Sequence, residues 1–176
     1  MAERLANAGV TQAIARRRVP LGFAAASVAL IFARPTWVTW LLGLAVALVG
    51  EAIRVWAAGH LEKSREVTQS GPYRWTRHPL YMGSSLIALG VIIAARHPLV
   101  TFVTLVYMAT TLAAAIRTEE AFLRVAFGDA YDQYRVSAAP PVARRFSLAR
   151  ARRNREHRAV WGLFAGFGLL ALKVLL

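Results

Sequence analysis

Apolar residues in this chain come in long runs, neither alternating as in a strand nor confined to one stripe of a surface helix. Five runs stand out: Val19–Ala33, Thr36–Ala58, Pro79–Ala95, Leu99–Ile116 and Ala159–Leu176. A helix needs roughly 20 mostly apolar residues to cross bilayer hydrocarbon, and about 17 can suffice. Val19–Ala33 is short by itself, and Arg18 extends it by reaching back to the headgroups with a long side chain. Arg34-Pro35 and Arg96-His97-Pro98 then act as tight turns, so the first two runs make a helical hairpin. Arg117–Arg135 reads differently. Its apolar residues Ala121, Phe122, Val125 and Ala126 recur at helical spacing among charges, which predicts a helix lying at the membrane surface, with Gly128 as a break or bend. Gly162 and Gly166 have the spacing of a helix-packing pair, or stand together by chance in a glycine-containing span. The pattern predicts an all-α integral membrane bundle of about five transmembrane helices with a cytoplasmic interfacial helix. It forms a single domain over residues 1–176: a hairpin (19–58), a core (59–135), a basic connection (136–158) and a last span (159–176).

Composition agrees with lipid as solvent for much of the chain: 57% of residues are hydrophobic and only 18% charged, against about a quarter charged in soluble domains. The net charge of +13 raises nucleic-acid binding as a function. The distribution argues against it, because the cations sit between apolar runs rather than along an aromatic-interleaved face. Arg4, Arg16, Arg17 and Arg18 precede the first run, and Lys63, Arg65, Arg74 and Arg77 follow the second. A further group from Arg117 to Arg158 follows the fourth, whereas the other two turns carry only Arg34 and Arg96. With five spans, every strongly basic segment falls on one side, which the positive-inside rule makes cytoplasmic. The first run lacks a small-residue cleavage motif and is read as an uncleaved span. The absence of cysteine excludes disulfides and a cysteine nucleophile, and the four histidines lack metal-ligand spacing.

Chemistry-bearing residues gather near the predicted cytoplasmic helix ends. Glu51 and Arg54 lie at i and i+3 in the second run, either as a functional pair or as a structural one that fixes packing. The densest signal is Gly71-Pro72-Tyr73-Arg74-Trp75-Thr76-Arg77-His78-Pro79-Leu80-Tyr81-Met82-Gly83-Ser84. Pro79 suits the first turn of a helix and biases His78 toward extended backbone. Arg77 and His78 therefore stand at a helix N-terminus, where dipole, free N–H groups and a cation together favour an anion. Physics alone leaves an ordinary aromatic and basic interfacial belt as an equal reading. The second signal is Thr118-Glu119-Glu120, followed by Phe127-Gly128-Asp129, Tyr131, Tyr134 and Arg135. The acids could bind hydroxyls or a cation, or Glu120 could simply pair with Arg124 on a solvated helix end. Glycine-rich nucleotide loops and strand patterns are absent from the sequence.

The two stretches GPYRWTRHPLYMGS and EEAFLRVAFGDAYDQYR, in this order and spacing, resemble the membrane methyltransferases of the isoprenylcysteine carboxyl methyltransferase and phospholipid methyltransferase type. The resemblance covers about Gly50–Arg135. WAAGHLEKSR at Trp56–Arg65, NREHR at Asn154–Arg158 and the final span also look like one bacterial branch. It implies S-adenosylmethionine as cofactor, with Arg77, His78, Pro79, Tyr81, Gly83, Glu119, Glu120, Tyr131 and Tyr134 lining its pocket. It also implies Arg135 positioning an anionic acceptor, Glu120 assisting catalysis, and a lipophilic small-molecule or lipid-modified acceptor drawn from the membrane. The location implied is a bacterial inner membrane, with the N-terminus and active site cytoplasmic. After Arg135 the sequence departs from the family, with Val136-Ser137-Ala138-Ala139-Pro140-Pro141 where a further basic residue and an R-V-P are common. This leaves the acceptor side open: a carboxylate or a phospholipid or other amine. Two other classes compete, a sterol-reductase-like enzyme using NADPH and a non-enzymatic membrane module.

Overall fold

The computed structural model describes residues 2–136 and 142–176; in the first helix, side chains are described at Ala13, at Arg17 and from Val19 onward. Ser137–Pro141, where the sequence departs from the family pattern, lies outside the described residues. The described residues form helices and no strand: α1 (Ala2–Phe32), α2 (Trp37–His60), α3 (Pro79–Ala95), α4 (Pro98–Phe127), α5 (Asp129–Arg135), α6 (Leu148–Arg153) and α7 (Glu156–Leu175). A 3-10 turn at Gly71–Arg74 precedes α3. Three of these, α2, α4 and α7, are long and apolar enough to cross a membrane, and Val19–Phe32 and Pro79–Ala95 are shorter apolar helical segments.

Two boundaries differ from the sequence expectation. α1 runs through Arg16–Arg18 and over Pro20 without interruption, so the basic cluster is part of the helix instead of preceding it. The interfacial helix expected over Arg117–Arg135 is not one element. Its first part continues α4, because the chain from Leu99 to Phe127 holds no proline or glycine to stop it. Gly128, at φ +46°, makes the break, and α5 starts immediately after it.

Glycine and alanine make the central contact. α2 and α3 pack most extensively, through Gly43 against Gly90 and Gly50 against Gly83. A Cβ on Gly43 would lie 2.4 Å from the Gly90 carbonyl oxygen, and one on Gly83 would lie 2.5 Å from that of Gly50. Small residues let backbones approach where lipid supplies no hydrophobic drive for association. Gly162 and Gly166, the pair singled out in the sequence, meet nothing within 4 Å and face open space. α1 packs on α4, and α7 packs on α2. Large apolar side chains such as Leu41, Phe102, Leu105 and Trp161 point outward on these helices, as lipid-facing positions require.

The basic connection has a defined job. The last carbonyls of α2 have no partner inside the helix. Asn154 Nδ2 donates to the Ala58 and Leu61 carbonyls at 2.9 and 2.8 Å, Arg150 Nη1 to Gly59 O at 2.6 Å, and Arg144 Nη1 to His60 O at 3.3 Å. The same arginines hold carboxylates of the loop beyond α2: Arg150 Nε to Glu62 at 2.7 Å and Arg144 Nη2 to Glu66 at 2.7 Å. Residues 142–154 thus clasp the end of α2 and the loop that leads into the Gly71–Arg74 turn.

Candidate active site at the start of α3

Local chain chemistry fixes the entry to α3. Gly71 takes φ +57°, and a Cβ there would come within 2.5 Å of the His60 ring, so only glycine fits this turn. His60 Nδ1 and Ser70 Oγ are 3.1 Å apart and close the loop. Tyr73 is then carried inward, 7% exposed. His78 is the N-cap residue of α3 and Pro79 its first helical residue, as the R-H-P sequence predicts.

α4 delivers the acids to this point. Arg77 Nη1 lies 3.4 Å from Glu120 Oε1, and His78 Nε2 lies 3.2 Å from the same oxygen. The Tyr81 hydroxyl donates to Glu119 Oε2 at 2.6 Å. Glu120 therefore bridges to α3 rather than pairing with Arg124. α5 folds back over the cluster: the Tyr134 hydroxyl donates to the Tyr73 carbonyl at 2.7 Å, and Tyr131 is 1% exposed. Burial pushes the Tyr134 hydroxyl up to about 12 and raises Tyr131. Burial, and then the charge of Glu119, raises Tyr73 as well. All three hydroxyls stay protonated at neutral pH, and that of Tyr134 donates to the Tyr73 carbonyl.

The residues expected to form a site fall into three groups. Arg77 and His78 bond to Glu120 and Tyr81 bonds to Glu119, the His78 and Tyr81 rings lie 5.6 Å apart, and Tyr131 and Tyr134 cover them. Pro79 is buried in the first turn, and Gly83 faces α2, filled by Gly50 and the Arg54 side chain. Arg135 is exposed at the end of α5 and makes no hydrogen bond or ion pair among the described residues. Two buried polar atoms in the cluster have no hydrogen-bond partner: His78 Nδ1 and the Tyr131 hydroxyl.

A second polar group lies behind the first. Arg54 holds Glu156 of α7 at 2.7 Å and stands 3.6 Å from Glu51, while its Nη1 donates to Ser84 of α3. Glu51 and Glu156 are 5% and 6% exposed. The sequence flagged Glu51 and Arg54 as charges inside a span, but Glu156 carried no such signal within a basic segment, and Tyr73 read only as part of a turn.

Residues 51–130 match the phospholipid methyltransferase family model. The chain is 36% identical over 122 residues to the cobalt-zinc-cadmium resistance protein CzcN of Cupriavidus metallidurans, covering 62% of this chain and 54% of that protein. It is 32% identical over 110 residues to a probable protein-S-isoprenylcysteine O-methyltransferase of Oryza sativa subsp. indica, covering 56% and 58%. It is 30% identical over 96 residues to the protein-S-isoprenylcysteine O-methyltransferase of Schizosaccharomyces pombe, covering 54% and 41%. The chain thus spans about half the length of the curated relatives it matches. No solved structure matches it. The similarity read from the two motifs is borne out, and the matched segment holds every joined residue of the cluster. Among the described residues no group of three or more histidine, aspartate or glutamate side chains could hold a metal ion.

Proposed function

We propose that this chain is an integral membrane methyltransferase of five spans. It uses S-adenosylmethionine and a lipophilic acceptor, with a carboxylate as the acceptor group, and the cluster at the start of α3 faces the cytoplasm of a bacterium. The observation that carries the reading is Glu120 of α4, which pairs with Arg77 and His78 just before α3 inside the segment similar to phospholipid methyltransferases. The orphaned His78 Nδ1 and Tyr131 hydroxyl fit a polar ligand that completes their hydrogen bonding, since buried polar atoms are seldom left unpaired.

The roles follow from the chemistry of each group. Arg77 and the N-terminus of α3 hold an anionic carboxylate. Glu119 and Glu120 accept hydrogen bonds from hydroxyl or amino groups, and Tyr81 keeps Glu119 in place. Tyr131 and Tyr134 exclude water by covering the cluster, and Gly83 keeps α3 close enough to α2 for Arg54 to reach Ser84. S-Adenosylmethionine, when bound, supplies an electrophilic methyl group on a sulfonium sulfur. Arg135, exposed at the edge of the cluster, orients an anionic acceptor toward it. A carboxylate is ionised near neutral pH and needs no general base, so orientation and dryness are the main contributions asked of the protein.

An amine acceptor is the second reading, favoured by the phospholipid methyltransferase match. The test is calorimetric titration of S-adenosylmethionine into detergent-purified protein, beside Arg77→Ala and Glu119→Gln. Binding that is lost in both variants supports the cluster as the cofactor site. Well-folded protein that binds none, with acceptor lipids added, refutes the reading. Labelled methyl groups then separate the acceptors: a methyl ester is released by mild base and an N-methyl group is not.

A further inference from the structure

The end of the bundle opposite the Glu120 cluster carries a cleft of about 450 Å³ lined by Ile31, Phe32, Arg34, His97 and Lys173, with Ala33 and Pro35. It lies where α1, α3 and α7 end and α2 and α4 begin. Three of these lining residues are basic, and none is Asp or Glu. Every Asp and Glu of the chain is at positions 3, 51, 62, 66, 119, 120, 129, 132 and 156. The acid in α2, Glu51, is about 20 Å along the helix from its start, at 1.5 Å per residue.

The donors at this cleft are only partly used. The Lys173 ammonium donates to the Leu30 and Ile31 carbonyls at 2.8 and 2.9 Å, which leaves one of its three protons. Arg34 donates its backbone N–H to Ala95, while its exposed guanidinium makes no bond among the described residues. His97 stacks on Phe32 with ring centroids 5.8 Å apart, and its Nδ1 has no partner. His97 also begins α4, whose first N–H groups lack a side-chain cap, so the positive end of a 30-residue helix adds to the same field. The Arg34 and Lys173 cations have no Asp or Glu among the residues lining the cleft, and an anion held between them is attracted to both. Trp37, 47% exposed and edge-on to Trp40, marks this level as the aromatic belt between headgroups and hydrocarbon. The Ile31 and Phe32 side chains, both exposed, offer apolar surface next to the cations.

We propose that this cleft binds the phosphate group of an anionic phospholipid, with Arg34 and Lys173 on the phosphate oxygens and Ile31 and Phe32 along the first part of an acyl chain. The site is separate from the cofactor cluster and does not depend on the methyltransferase reading.

The experiment is native mass spectrometry of the full chain in detergent, titrated with phosphatidylglycerol or with diacylglycerol, which lacks the phosphate. Arg152→Gln serves as a control at the other end of the molecule. The expected result is preferential retention of phosphatidylglycerol, weakened about five- to tenfold by Arg34→Gln and unchanged by Arg152→Gln. Lys173→Gln should act in the same direction. Because Lys173 also holds α1, Arg34→Gln decides the matter if the lysine variant does not fold. Displacement of the lipid by inorganic phosphate would assign the affinity to the phosphate alone; retention against it would assign it to the lipid as a whole. Equal binding of diacylglycerol, or an Arg34→Gln protein that keeps wild-type affinity, would overturn the proposal.

Discussion

Among the described residues Arg54 is the one cation paired with two buried carboxylates, and this asymmetry makes its removal far more damaging than removal of either partner. With Glu51 and Glu156 ionised, the group carries a net charge of −1. Arg54→Met leaves −2 and no cation, with both acids about 5% exposed. Glu156→Gln leaves zero, with Arg54 still beside Glu51. Breaking a buried pair so that a charge is stranded costs about 3–5 kcal/mol. The Arg54 side chain is 20% exposed, which places the effect near the lower figure. For a chain of this size each kcal/mol shifts the midpoint by about 2–4 °C, so Arg54→Met should lower it by about 6–12 °C. Glu156→Gln should cost about 1 kcal/mol or less. Thermal unfolding in one detergent, followed by circular dichroism, measures both. Adding Glu51→Gln to Arg54→Met should recover part of the loss, because one stranded charge is removed. If Arg54→Met proves no more harmful than Glu156→Gln, or Glu51→Gln restores nothing, the buried group is not organised around its charge.

Gly90→Ala should destabilise by about 1–3 kcal/mol, since the new methyl would lie 2.4 Å from the Gly43 carbonyl and force α2 and α3 apart; Gly162→Ala, which meets nothing within 4 Å, should be neutral or gain up to about 1 kcal/mol from helix propensity, and the two unfolding midpoints check this. The Arg150 hydrogen bond, followed by the charges of Arg153, Arg150 and Arg144, holds the Glu62 carboxyl below its ordinary value of 4.5. Its contribution is therefore complete above that value and lost as pH falls through the lower folded one. Unfolding midpoints measured from pH 7 down to pH 3 should fall in that acid range, less steeply in Arg150→Gln. Tyr134→Phe removes the bond to the Tyr73 carbonyl and should cost about 1 kcal/mol, seen as faster amide hydrogen exchange over α5.

The sequence motifs located the cluster because its chemistry is local. R-H-P places two basic side chains at a helix start by backbone rules alone, and the Glu-Glu pair sits one span later, near the same end of the bundle. What the residues do to one another was open. Glu120 had Arg124 within reach on its own helix, and the choice of Arg77 and His78 depends on how α3 and α4 meet. Which glycines pack was open for a similar reason: spacing left Gly162 and Gly166 as either a packing pair or a coincidence, and only the facing helix shows that Gly43, Gly50, Gly83 and Gly90 make the close contacts. The clasp of residues 142–154 was illegible, since its hydrogen bonds join positions about 80 to 100 apart in the chain and a basic stretch looks the same whether it faces water or caps a helix.

By itself the sequence determined the helical class, the apolar segments and the short motifs at helix ends, all of which follow from composition, breakers and spacing along one element. The tertiary structure alone decided that α2 and α3 touch backbone to backbone, that Glu156 returns from α7 to share Arg54 with Glu51, and that Arg34, His97 and Lys173 surround one cleft. Each of these depends on distances between elements remote in sequence, and in lipid, where apolar surface is buried whether or not helices meet, those distances are set by backbone fit and by the pairing of a few charges.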